Sequence, residues 1–178
     1  MATESKKKIK EEPEQALTGA EVQVEKKKFV AKDLDPHMLV TVRNGFQGRL
    51  CYKSKRSGET WVWDSFGSEQ ELELQELRYA KNAAKSFFAN NWFMFNDAWV
   101  VEYLGLKAYY RHAIRVEDFD KIFQKTPAQI EAEIGQMTKG QRQSVTYRAK
   151  ELIANGEIDS NKVINTLEKA LNVELVER

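Results

Sequence analysis

Hydrophobic and polar residues alternate along much of the stretch from Met38 to Leu77, as they do in half-buried β-strands. Three segments follow this pattern clearly and a fourth follows it more briefly: Leu39–Arg43, Leu50–Lys53, Thr60–Trp63 and Glu71–Leu74. The turn between the second and third ends in Gly58, and glycine tolerates the positive φ of many hairpin loops. We therefore expect a small antiparallel sheet of three or four strands.

The pattern then changes to helical spacing. One predicted helix carries its apolar residues on a single face and ends at Asn90-Asn91; these residues are Leu77, Ala80, Ala84, Phe87 and Phe88. A sheet of so few strands needs a covering element to be stable. We expect this helix to be that cover.

Short helices are predicted in the aromatic-rich segment that follows. Asp97 is a suitable N-cap for a helix over Ala98–Leu104, and Gly105 ends it. Two more short helices are expected, one with Tyr109, Tyr110 and Ile114 and one with Phe119, Ile122 and Phe123. Polar residues interrupt the apolar window Phe87–Leu106, so it predicts buried helices and not a membrane span. Most of the aromatic run from Phe87 to Trp99 is expected in the core, with part of its surface left for a partner.

The last third of the chain predicts three amphipathic helices with distinct caps. Thr126-Pro127, Thr138 and Asp159 are the expected N-terminal residues, and Asn155-Gly156 ends the second helix. Because the connections are short, we expect these helices to pack together as one subdomain.

The first thirty residues have a different composition. They carry seven lysines and six glutamates, with no aromatic residue before Phe29. Such a segment buries too little apolar surface to offset its ordering entropy, so it is expected to be disordered when free. It is either a solvated tail or an arm that becomes ordered on a neighbouring subunit.

These patterns together predict an α+β fold, in which a small antiparallel β-sheet packs on a helix and is followed by an all-helical C-terminal half. The predicted parts are a disordered charged N-terminal arm over residues 1–34, a small β-sheet plus helix over 35–92, short aromatic-rich helices over 93–125, and a three-helix C-terminal subdomain over 126–178.

Catalytic and metal-binding chemistry finds few candidates. The chain has two histidines, His37 and His112, in unrelated surroundings, and its paired carboxylates such as Glu71 with Glu73 lie in charged surface runs. No spacing resembles a zinc site, a calcium loop or a phosphate-binding glycine loop. We therefore expect no enzymatic activity, no catalytic residue, no metal and no cofactor.

The single cysteine, Cys51, excludes an intrachain disulfide framework and fits a reducing compartment. It lies between Leu50 and Tyr52 in a predicted strand. We expect a small buried side chain and not a nucleophile.

The predicted hairpin combines basic and aromatic residues. Its candidate interaction residues are Tyr52, Lys53, Lys55, Arg56, Trp61 and Trp63, of which the hairpin tip and an exposed part of the tryptophans are the expected contacts. Basic residues with aromatics on a small sheet are what single-strand nucleic-acid binders use, but Trp and Tyr rings also fill a sheet–helix core, which is the interpretation that we favour for them. A second basic cluster at Lys139–Lys150 loosely resembles a helix-turn-helix.

Four segments carry a resemblance to a known group. Gly48–Gly58, Glu71–Arg78, Lys85–Trp92 and Tyr147–Ser160, in this order, resemble poorly characterised virion or tail structural proteins of tailed bacteriophages. The resemblance implies a phage origin and transfers no catalytic residue.

The function expected from it is a non-enzymatic structural component of a phage head, neck or tail that acts through protein–protein contacts in an oligomeric assembly. Its expected location is the virion, and the host cytoplasm during assembly. The alternative is a phage-encoded nucleic-acid-binding or regulatory protein that uses the basic aromatic hairpin. Neither function involves a membrane or a small-molecule substrate.

Overall fold

A computed structural model describes residues 34–176, so the predicted arm over residues 1–34 lies, apart from its last residue, outside the described part of the chain. The described residues confirm the α+β class: a small antiparallel sheet and a hairpin come first, and the C-terminal half is helical.

Within residues 34–176, five strands form two small sheets. They are β1 (Leu39–Asn44), β2 (Leu50–Lys53), β3 (Thr60–Trp63), β4 (Glu69–Glu73) and β5 (Phe93–Met94). β1 is the central strand of a three-stranded sheet with the order β4-β1-β5, and β2 and β3 form a separate antiparallel hairpin. The sequence predicted the first three strands closely. It placed the fourth at Glu71–Leu74, whereas β4 begins earlier and Leu74 already starts a helix.

Side chains join the hairpin to the three-stranded sheet. The indole Nε1 of Trp63 donates a hydrogen bond to the carbonyl oxygen of Val42 at 2.8 Å, and the amide of Gln70 donates to the carbonyl oxygen of Val62 at 2.8 Å. Both bonds end on strand backbone, so they fix the position of the hairpin relative to β1 and β4.

The helices are α1 (Leu74–Ala83), α2 (Lys85–Ala89), α3 (Ala98–Tyr103), α4 (Lys107–Tyr110), a 3₁₀ helix (Val116–Gln124), α5 (Pro127–Gln136), α6 (Lys139–Ala154) and α7 (Asn161–Leu171). The single helix predicted to end at Asn90-Asn91 is in fact α1 and α2, because Ala84 adopts φ −135° and ψ 46° and interrupts the helical path. β5 was not predicted. It occupies the position where the sequence indicated only short helices.

The helix caps agree with the sequence in the C-terminal half, with one exception. Thr126 and Gln129 form a capping box at the start of α5, and the hydroxyl of Thr138 accepts a hydrogen bond from the Gln141 amide at the start of α6. Asp159 is not the N-cap of α7, since Ser160 takes that position. The helix expected to include Ile114 ends at Tyr110.

Two hydrophobic cores divide the described residues. The first core lies between the sheet, the hairpin and α1–α4, and its fully buried large side chains include Trp63, Phe88 and Phe93. The second core is formed by the 3₁₀ helix and α5–α7, with Ile122, Ile130, Ile134 and Leu167 fully buried. The segment 93–125, predicted as one part, contributes Phe93–Leu106 to the first core and Phe119–Phe123 to the second.

The loop after β1 joins the two cores. The hydroxyl of Ser144 on α6 donates to the carbonyl oxygen of Gly45 at 3.0 Å and accepts from the backbone N–H of Gln47 at 3.1 Å. Backbone approaches closely here: a Cβ on Gly45 would lie 2.1 Å from the carbonyl oxygen of Asn91, and a Cβ on Gly140 2.3 Å from that of Asn90. Glycine is therefore required at both positions.

Candidate interaction site

The hairpin places alternate side chains on opposite sides. In β2, Leu50 and Tyr52 are buried, whereas Cys51 and Lys53 are exposed. The expectation of a buried Cys51 is therefore wrong: because the side-chain period of a strand is two, burying its larger neighbours turns the cysteine toward solvent. The outer side of the hairpin is polar, and its inner side belongs to the first core.

The hairpin aromatics pack inward. Tyr52 stacks on Trp61, its cross-strand partner, with ring centroids 5.7 Å apart, and it meets Phe93 edge-on at 5.5 Å. Trp63 has 0% of its surface exposed, so the expectation that part of it is available for contact is wrong. Tyr52 is also buried, and Trp61 is half-buried. These rings belong to the first core, because a small sheet needs large apolar side chains to cover its inner face.

A buried glutamate connects the hairpin to α1. Glu76 has only 1% of its surface exposed. One of its carboxylate oxygens accepts a hydrogen bond from the Tyr52 hydroxyl at 2.6 Å, and the other accepts two from the Arg56 guanidinium at 3.1 and 2.9 Å. Both oxygens of the buried carboxylate thus have partners, as a buried charge requires.

The same network changes the acidity of Tyr52. Burial and the hydrogen bond to Glu76, in that order, raise the pKa of Tyr52 well above its usual range. The phenol therefore remains protonated and acts as a hydrogen-bond donor. This arrangement holds a structure together and offers no activated base or nucleophile at Tyr52.

Backbone and side-chain hydrogen bonds also order the hairpin loop. The hydroxyl of Ser54, itself buried, accepts from the amides of Arg56 and Ser57, each at 3.1 Å. The Ser54 amide donates to the carbonyl oxygen of Glu59 at 2.8 Å, and Gly58 has the positive φ of 77° that the sequence predicted. The tip is a defined turn held at both ends.

Basic side chains remain on the outside of this turn. Lys53 and Lys55 are exposed, and no ion pair of either appears within residues 34–176. Arg56 keeps 39% of its side-chain surface exposed while it binds Glu76. Arg49 lies 3.7 Å from Asp64 and is also exposed. Of the six predicted residues, Lys53, Lys55 and Arg56 form the accessible surface, which we call the basic tip.

Sequence reasoning missed the two residues that fix the basic tip, Ser54 and Glu76. A weak signal existed for Glu76, because it lies four residues before Ala80 and thus on the apolar face of α1. A glutamate at that position indicates a buried partner of opposite charge. No comparable signal marks Ser54 among the other polar residues of the turn.

The two histidines lie apart. His37 Nδ1 is 3.2 Å from a carboxylate oxygen of Glu73, the last residue of β4. His112 lines a surface cavity of about 390 Å³, together with Arg115, Asp118, Lys121, Lys125 and Glu133. Four of the charged side chains in this cavity form two pairs: Lys121 binds Asp118 at 2.7 Å, and Lys125 binds Glu133. The hydrogen bond and charge of Lys121 lower the pKa of Asp118. Surface ion pairs therefore occupy much of the lining of this cavity.

Within residues 34–176, no group of three or more His, Cys, Asp or Glu side chains is arranged to hold a metal ion. None of the helices in the described part of the chain is both long and apolar enough to cross a bilayer. No protein-family model, curated protein or solved structure matches this chain.

Proposed function

We propose that this protein is a non-enzymatic structural component of a tailed-bacteriophage particle, placed in the head, neck or tail, and that it acts through protein–protein contacts. The observation that carries the proposal is the basic tip. The buried Glu76 holds Arg56 and Tyr52, so Lys53 and Lys55 project from a turn whose position is fixed. A preorganised charged surface loses little conformational freedom on binding.

The chemistry of the basic tip favours an acidic protein surface as its partner. Exposed lysines contribute to the rate and specificity of association through complementary charge more than to affinity. In this proposal the apolar contacts that supply affinity come from other parts of the interface, and the basic tip sets the orientation of the subunit.

Nucleic-acid binding through the hairpin is the second candidate, because the basic tip also suits phosphate groups. The inward packing of Tyr52 and Trp63 weighs against base stacking, which needs an open aromatic face. A phosphate-binding hairpin would show retention on DNA or RNA that falls steeply with salt, since each phosphate contact releases counterions.

Mass spectrometry of purified particles tests the structural role. We expect the chain to be present at a fixed copy number in particles purified by density gradient. Recovery only from the soluble lysate would overturn the proposal.

A pair of variants tests the basic tip itself. Replacing Lys53 and Lys55 with glutamate is expected to reduce incorporation into particles by tenfold or more, because the electrostatic steering is reversed. The matched control replaces Lys139 and Lys150, two exposed lysines of α6, in the same way. Equal incorporation of both variants would show that the basic tip makes no contact.

A further inference from the structure

The central strand of the three-stranded sheet has an open edge. β4 pairs with β1 along its length, from Leu39 opposite Glu73 to Arg43 opposite Glu69. On the other side, β5 has only two residues and pairs only with Arg43 and Asn44. The segment Leu39–Val42 of β1 therefore has no strand beside it on that side among residues 34–176.

Backbone hydrogen-bonding groups point toward this open edge. The Leu74 amide donates to the carbonyl oxygen of Met38, and the Asn44 amide donates to that of Ser68, each at 2.9 Å. The even-numbered residues of β1 therefore bond toward β4. Because bonded and non-bonded pairs alternate in an antiparallel ladder, Leu39 and Thr41 direct their N–H and C=O groups away from β4, toward the open edge.

The outer face of the sheet carries an exposed leucine at this edge and, across β1, a row of acidic residues on β4. Leu39 has 58% of its surface exposed. Its neighbours on β4 are Glu73 and Glu71, opposite Leu39 and Thr41 respectively. Two acidic residues of that face already have partners, because Arg43 binds Glu69 at 3.1 Å and His37 lies 3.2 Å from Glu73. Glu71 is exposed, and no ion pair of it appears in the described part of the chain.

We propose that this edge binds the lysine-rich segment 26–32 of a second copy of the chain as an added strand. An exposed strand edge is a template for pairing, and extended peptides bind such edges through main-chain hydrogen bonds. In an extended conformation Lys28, Val30 and Lys32 share one face. Val30 then packs on Leu39, and the long lysine side chains extend across β1 toward Glu71 on β4.

The direction of the chain favours a second copy over the same copy. Gln75 and Leu74 donate their amides to the carbonyl oxygens of Pro36 and Met38, each at 2.9 Å, and Leu34 packs against the first core. The polypeptide therefore reaches β1 from the side of β4 and α1, which is opposite the open edge. A neighbouring copy can present its segment 26–32 to that edge directly.

This inference rests on the proposed structural role and deepens it, because it names one partner of the assembly. Its test uses only the purified full-length chain, with the molar mass measured by light scattering after size-exclusion chromatography. A chain that self-associates but is absent from particles would overturn the structural role alone. A chain that is present in particles but monomeric in solution at every concentration would overturn the inference alone.

Charge reversal tests the contact at both ends. Glu71→Lys on β4, or Lys28→Glu with Lys32→Glu on the arm, is expected to weaken self-association by about tenfold, because the exposed charges of the contact change from attraction to repulsion. Both sets combined in one chain should restore it. The control is Glu59→Lys, an equal change at an exposed residue of the hairpin loop, which should leave association unchanged. A loss equal to that of Glu71→Lys would overturn the inference.

Mixing the variants separates a second copy from the same copy. The Glu71→Lys chain has a native arm, and the Lys28→Glu, Lys32→Glu chain has a native edge. If the arm binds a neighbour, the mixture forms mixed dimers that neither variant forms alone. If the arm binds its own sheet, mixing changes nothing, and the intermolecular inference is overturned.

A proline at position 41 tests the strand pairing itself. Thr41→Pro removes an N–H that points to the open edge and leaves the ladder with β4 intact, as proline is tolerated on exposed edges. We expect loss of self-association with an unchanged circular dichroism spectrum. Retained association in this variant would show that charge alone attracts the arm, without strand addition.

Discussion

The two cores of this protein are built differently. In the first core aromatic rings pack on one another: Phe93 meets Tyr52, Trp63, Phe87 and Phe88 with ring centroids 4.9–5.5 Å apart. The first core also encloses the charge of Glu76. The second core is mainly aliphatic, and the ion pairs around it, such as Lys169 with Glu131, lie at its surface. The first region thus depends on a few specific polar contacts, and the second depends on apolar packing between capped helices.

The two cores also differ in how far apart in the sequence the residues that form their polar contacts lie. Tyr52 and Glu76 are 24 residues apart, whereas the capping box at the start of α5 joins Thr126 to Gln129 across three residues. Contacts that span many residues require the whole sheet to be in place before they form. Local contacts support each helix separately. We therefore expect the two regions to respond differently when one polar group is removed.

The largest expected effect comes from Glu76→Ala. This change leaves the Tyr52 hydroxyl buried without an acceptor and leaves Arg56 without its carboxylate partner. Breaking a buried hydrogen-bonded pair in this way costs about 3 kcal/mol of unfolding free energy, reduced here somewhat because Arg56 reaches solvent. Urea unfolding followed by tryptophan fluorescence measures it, since all four tryptophans lie between residues 61 and 99.

The matched control for this prediction is Glu131→Ala in the second region. Glu131 binds Lys169 at 3.1 Å on the surface, and such a pair contributes less than about 1 kcal/mol. If the two variants lost equal stability, the contrast between a polar-dependent first region and a packing-dependent second region would be wrong.

The same contrast explains how much the sequence could predict. The C-terminal helices could be predicted from local sequence, because Thr126-Pro127 and Thr138 mark helix starts independently of distant residues. The strands β1–β3 followed from alternation. The break at Ala84 and the strand β5 did not follow, because both depend on where distant residues pack: Met94 pairs with Arg43, fifty-one residues earlier, and no local pattern encodes that partner.

The interaction site was predicted in part for the same reason. Alternation in β2 and β3 gives two faces but does not say which one is buried. Tyr52 and Trp63 were therefore assigned to a possible surface that the core in fact occupies. Lysines are seldom buried, so Lys53 and Lys55 were safer predictions, and both are exposed. Glu76 was missed because its partners belong to a different element.

An intermediate effect is expected where the two regions meet. Ser144→Ala removes the hydroxyl that binds Gly45 and Gln47, so a buried carbonyl and an amide lose their partner. The expected cost is about 1–2 kcal/mol. These bonds join the loop after β1 to α6, and therefore the first core to the second. Without them, we expect amide hydrogen exchange to accelerate more in one core than in the other.

The matched control for Ser144→Ala is Thr146→Val, which removes a hydroxyl from the same helix, α6. The Thr146 hydroxyl donates to the carbonyl oxygen of Arg142 within α6, and this local bond adds little to helix stability. Uniform exchange across both regions in the Ser144→Ala variant would mean that apolar contacts, and not this hydroxyl, couple them.

The smallest expected effect is on acid stability, and it compares one exposed carboxylate from each region. Hydrogen bonds from Gln75 and then His37 lower the pKa of Glu73, and the hydrogen bond and charge of Lys121 lower the pKa of Asp118. A lowered pKa in the folded state means that the ionised form stabilises the fold above the unfolded pKa. This stabilisation is lost as the pH falls through the folded value. Stability should therefore decline in acid, beginning near pH 4.5 for Glu73 and near 3.8 for Asp118.

Salt separates the two contributions to that decline. Thermal unfolding measured from pH 7 to pH 3 should give a flatter profile for Glu73→Gln and for Asp118→Asn than for the native chain. Added salt should flatten the Asp118 contribution more, because it comes from a charged lysine at the surface, whereas the main partner of Glu73 is a neutral amide. Profiles of both variants that coincide with the native profile would show that neither exposed carboxylate affects stability. Equal sensitivity to salt would show that the surface contacts of the two regions are alike, and that the difference between the regions is confined to their cores.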